Sequence, residues 1–70
     1  MIKGLSLSAL RVGKKYRLTN HRETHEFEIE RAIGNTDFRV KDLLTLERYK
    51  LKDLVAYGKG EDFEIEELYS

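Results

Sequence analysis

The chain contains no cysteine, no proline and no tryptophan in its 70 residues. Lack of cysteine excludes a disulfide framework and a thiolate metal site, and implies no redox compartment. Lack of proline leaves glycine as the one strong breaker of regular structure, at positions 4, 13, 34, 58 and 60. An excess of charge is also missing, since 13 basic residues balance 13 acidic ones. That balance excludes a strongly basic nucleic-acid tail and an acidic solvating segment, while leaving room for local patches. The apolar runs are only a few residues long, too short to cross a membrane as a helix. The opening Met-Ile-Lys-Gly-Leu-Ser has no apolar signal-peptide region, so a cytoplasmic location is expected. The length suits a single small domain over residues 1–70, near the lower limit for folding alone. Pairing as a homodimer is one way such a domain adds buried surface.

What the chain does have is alternation. The tetrad Phe-Glu-Ile-Glu occurs twice, at residues 27–30 and 63–66. Superimposing the copies matches almost nothing on either side, so they are not a duplicated fragment. Each reads as a half-buried strand with its glutamates outward. The same two-residue rhythm runs through Lys14–Thr19, His25–Ile33 and Phe38–Asp42, separated by the polar stretch Asn20–Thr24 and the turn pair Gly34-Asn35. Within His25–Ile33, Arg31 takes an inward slot, so either the strand leaves the core there or a bulge shifts the register to Ala32.

Two stretches are ambiguous. In Leu5–Val12, Leu5 and Leu7 alternate as in a strand, whereas Ser8 could cap a helical turn ended by Gly13. In residues 43–57, a strand over about 47–51 and one helical turn over 52–57 turn Tyr49 and Leu51 inward. A single helix over 44–57, capped by Thr45 and ended by Gly58, gathers Leu44, Leu51, Leu54 and Val55 into a stripe instead. The first is preferred, because the full helix buries a narrower stripe and places Tyr49 and Lys50 awkwardly. Glu61–Leu68 closes the chain as a strand. The expected fold is mainly β: a curled five-stranded antiparallel sheet or small barrel with a short helical turn near residues 52–57. The alternative is an α+β fold with one helix over 44–57 on a sheet.

Strand parity also sorts the charges. The outward residues are Lys15 and Arg17 on the first strand, Glu26, Glu28 and Glu30 on the second, Arg39 and Lys41 on the third, Arg48 and Lys50 on the fourth, and Glu64 and Glu66 on the last. If consecutive strands pair, the acidic second strand lies between basic neighbours, with opposite charges contributing roughly 0.2–1 kcal/mol per cross-strand pair. If the sheet curls until the last strand meets the first, its glutamates face Lys15 and Arg17 as well. One junction breaks the pattern. Arg39, Lys41, Arg48 and Lys50 share one face, where like charges repel unless they hold an anion or are tempered by Asp37, Asp42 and Glu47. These four residues, with Tyr57 as a stacking tyrosine, are the candidate anion- or partner-binding set.

Other motifs carry less. His21 and His25 are four apart, but they fall on a loop and strand start with no third ligand, so no metal is expected. Gly58-Lys59-Gly60 lacks the longer glycine frame of a phosphate loop and reads as the end of the helical turn. The carboxylates and serines form no acid–base pair or nucleophile arrangement, so neither catalysis nor a cofactor is expected. Tyr16 and Tyr49 have inward parity, while Tyr57 and Tyr69 lie near segment ends. Five short strands with a one-turn helix before the last resemble the SH3-like barrels, including Tudor and KOW domains. The stretch Phe38-Arg39-Val40-Lys41-Asp42, within Phe27–Leu54, resembles the central strands of a Tudor domain. That resemblance implies a fold and carries over no functional residue. The expected role is a non-catalytic binding module with a protein partner, its own copy included, and no membrane association. RNA or DNA binding through the basic face is the alternative, and an accessory enzyme subunit ranks below both.

Overall fold

Strands form where apolar and charged residues alternate most regularly. The computed structural model describes residues 5–68, apart from the side chain of Ser8. It contains β1 (Lys15–Asn20), β2 (Glu23–Ile33), β3 (Asp37–Asp42), β4 (Arg48–Lys50) and β5 (Glu64–Leu68). Two 3-10 turns accompany them, Leu7–Ala9 and Leu51–Val55. All pairings are antiparallel, in the order β4-β3-β2-β1-β5. The sheet is open rather than rolled shut, with β4 and β5 as its two edges. The last strand therefore meets the first without closure, because the chain crosses back from the β4 edge to the β1 edge. No helix among the described residues is long and apolar enough to cross a membrane.

A helix over 44–57 does not form. Residues 43–45 are a turn, β4 pairs with β3 so that Tyr49 faces Val40, and the 3-10 turn follows directly. The stripe that favoured a helix is not a buried unit, since Leu44 is 90% exposed while Leu51 is 2% exposed. At the other ambiguous stretch, Ser8 lies inside the Leu7–Ala9 turn rather than at its start. Leu5 still reaches the sheet by a single bond, its N–H donating to the Ile65 carbonyl at 3.1 Å.

Both copies of the repeated tetrad turn their apolar residues inward. Phe27, Ile29 and Ile65 are fully buried with Leu18 and Val40, and Phe63 packs against them from the rim. Leu10, Tyr16 and Leu51 complete the core, each side chain contributing roughly 1.5–3 kcal/mol on full burial. The Tyr16 ring packs on Phe27, and its hydroxyl accepts the Arg11 N–H at 2.9 Å. Of the two alternatives at Arg31, a bulge is present. Ile29 pairs with Val40, then Arg31 pairs with Arg39 and Ala32 with Phe38, so the extra residue is Glu30.

On the opposite face the charges sort by strand as parity requires. Arg17 pairs with Glu26 on one side and Glu66 on the other, at 2.8 and 3.2 Å. Lys15 lies opposite Glu28, which lies opposite Lys41. Of the tetrad glutamates, Glu66 is a counterion of Arg17 on β1 and Glu30 of Arg48 on β4, while Glu28 lies between two lysines and Glu64 opposite Thr19. The tetrad thus appears once in each of the two strands that flank β1.

The returning crossover is pinned by the β1–β2 hairpin. The Asn20 amide donates to the carbonyls of Leu54 and Gly58 and accepts the Gly60 N–H at 2.7 Å. His21 and Arg22 form the hairpin tip with φ of 49° and 65°, a conformation costing non-glycine residues roughly 1–2 kcal/mol each. Their two N–H groups donate to the two oxygens of Asp62 at 2.9 and 2.8 Å, which offsets that cost. The His21 ring Nε2 lies 2.9 Å from the Gly58 carbonyl, and because a carbonyl only accepts, this nitrogen carries the hydrogen. A Cβ on Gly60 would sit 2.9 Å from the His21 ring, so a side chain there would push the ring aside. Gly58, at φ +88°, ends the turn after Leu51–Val55 with its N–H on the Val55 carbonyl.

Candidate functional site

The basic face follows from register. Arg39 lies directly opposite Lys50, and Lys41 opposite Arg48. The bulge adds a third cation to the first row by setting Arg31 opposite Arg39. With adjacent strands about 4.8 Å apart, Arg31, Arg39 and Lys50 fall within roughly 10 Å. All three are exposed, and among the described residues none of them makes an ion pair.

Arg48 is different, because its Nε donates to both oxygens of Glu30 at 2.9 and 3.1 Å. Of the acids expected to temper the cluster, Asp37 and Asp42 are used elsewhere and Glu47 makes no ion pair with it. Asp37 accepts the N–H groups of Phe38 and Lys52. Asp42 accepts those of Leu44 and Thr45 together with the Tyr49 hydroxyl. Tyr57 stands apart from the basic face. It is 94% exposed and lines a recess with Asn20, His21, Glu23, His25, Asp53 and Leu54.

That recess joins a larger one through His25, Asp53 and Leu54. The larger, of about 360 Å³, adds Asp42, Thr45, Glu47 and Tyr49. It opens at the end of the core, since His25 sits opposite Leu18 on β1 and Tyr49 opposite Val40 on β3. The Thr45 N–H, with those of Leu44 and the Tyr49 hydroxyl, holds the Asp42 carboxyl below the usual aspartate range. Burial, then the charge of Asp42, pushes the Tyr49 phenol well above its ordinary value, so it stays protonated and neutral. Its hydroxyl donates to Asp42 at 3.2 Å. His25 lies 3.6 Å from Glu23. Among the described residues no three His, Cys, Asp or Glu side chains are grouped as a metal ion requires.

Sequence parity brought together Arg39, Lys41, Arg48 and Lys50 but missed Arg31 and the Glu30 counterion. The inward slot of Arg31 was the available signal. Carrying the count through a bulge sets it beside Arg39. The groove had no local signal, because its walls come from three separate segments. No family model matches the chain, and neither a curated protein nor a solved structure is found to match it.

Proposed function

We propose that this chain is a non-catalytic binding module that holds an acidic segment of a protein partner on the β2–β3–β4 side of its polar sheet face. The observation that carries this reading is the row Arg31–Arg39–Lys50, three exposed cations on adjacent strands with no acid among them. Like charges set opposite one another cost stability, and a bound carboxylate relieves that cost while gaining charge-assisted hydrogen bonds. An acidic peptide suits the face better than a nucleic acid. Glu28 opposite Lys41 and Glu30 on Arg48 interrupt the positive field that a long phosphate backbone needs. Five strands with a short helical turn before the last support an SH3-like arrangement of the Tudor or KOW type, which by itself specifies no ligand.

The test is a chemical-shift titration at physiological salt with a glutamate-rich peptide, and in parallel with an oligonucleotide of equal charge. The peptide is expected to move the amides of Arg31, Arg39 and Lys50. R39E/K50E is expected to weaken binding by about tenfold or more, as two exposed charge contacts are reversed. Tighter binding of the oligonucleotide, with a steep salt dependence, assigns the face to nucleic acid instead.

A further inference from the structure

The groove at the end of the core combines carboxylates with an apolar floor. The ion pairs of arginine among the described residues engage Glu26, Glu30 and Glu66. None engages Asp42, Glu47 or Asp53, the three carboxylates that line the larger recess. Its floor is apolar, formed by Tyr49 and Leu54 at the margin of the hydrophobic core. Beside it, the β3–β4 turn exposes Leu44 and Leu46, at 90% and 61%.

We propose that this groove is a second binding site, which takes an extended cationic peptide of a partner protein. A lysine or arginine stem lies on Tyr49 and Leu54, and its head sits among Asp42, Glu47 and Asp53. Long basic side chains suit this arrangement because they pair an apolar stem with a charged tip. Continuity into the recess of about 240 Å³ that ends at Tyr57 gives room for a second residue of the same peptide. There an exposed tyrosine face attracts a further cation. Charge complementarity selects this occupant: three carboxylates outside any ion pair line the groove, and among the described residues His25 is the one basic side chain lining it. The site lies apart from the basic face, and neither proposal depends on the other.

The experiment titrates the labelled full chain with a short synthetic peptide alternating arginine and leucine, and with a control in which glutamate replaces arginine. The arginine peptide is expected to shift the amides of His25, Glu47, Asp53 and Leu54, and the control to leave them unmoved. E47Q/D53N is expected to weaken binding roughly tenfold, as two exposed charge contacts are lost. Both residues are exposed and neither carboxylate holds a hydrogen bond among the described residues, so the variant keeps the wild-type spectrum elsewhere. A second variant, Y57A, is expected to weaken a two-arginine peptide more than a one-arginine peptide. Absence of shifts at the groove, or equal affinity in E47Q/D53N, overturns the proposal. So do groove shifts that grow with protein concentration when no peptide is added, which assign the surface to a second copy.

Discussion

Asn20 occupies an inward position on β1, two residues beyond Leu18, yet it is polar and 4% exposed. Its amide can be buried there because both ends are bonded to the crossover backbone. An apolar residue of similar size would keep the burial but strand the Gly60 N–H and take one donor each from the Leu54 and Gly58 carbonyls. Asn20→Ala is expected to cost about 1–3 kcal/mol, the usual penalty for leaving such groups unpaired, read as a lower urea midpoint at unchanged slope. Tyr16 shows the same rule on a smaller scale, its ring inside and its hydroxyl on the Arg11 N–H. At this scale the sequence supplies parity but not partners. The inward parity of Tyr16 is plain from the alternation, whereas the bonding of Asn20 depends on a segment about forty residues away in the chain.

Among the elements, the β1–β2 hairpin and the β3–β4 turn each close on one aspartate. The Asp62 carboxylate accepts the Arg22 and His21 N–H groups, and these hold its pKa below the usual range. Asp42 is held down in the same way by Thr45 and Leu44. A carboxyl whose folded pKa is depressed stabilises the fold above its unfolded value, and that stabilisation is lost as pH falls through the folded value. Stability is therefore expected to decline as the pH drops below about 4. D42N/D62N should start lower near neutral pH and show a shallower acid decline in urea melts taken across that window.

The five strands were legible because Phe27 and Ile29, Phe38 and Val40, and Phe63 and Ile65 all keep a two-residue period. The tight hairpin at His21-Arg22 was not. Neither residue favours positive φ, and the carboxylate that supports them arrives from the far end of the crossover. The basic face was legible as far as strand parity runs and incomplete where the bulge begins. The groove was invisible, because no period in the sequence links His25, Tyr49 and Asp53.

Across the whole molecule, neutrality is the sum of separate regions: a row of cations beyond the bulge, interleaved ion pairs around Arg17, and unpaired acids at the groove. The lack of proline has a kinetic counterpart. Refolding of this chain from denaturant is expected to lack the phase of tens of seconds that X-Pro isomerisation produces. Stopped-flow fluorescence of the tyrosines, with double-jump delays before refolding, checks this, and amplitude that grows with the delay would contradict it. The pairing of β5 with β1 reaches further. As the nascent chain leaves the ribosome, β1 emerges with one flank bare and waits while the residues between Asn20 and Glu64 are made before the strand that covers it arrives. Its backbone is an open template during that interval. The speed of elongation between these two strands therefore sets how long the bare flank is exposed to its neighbours.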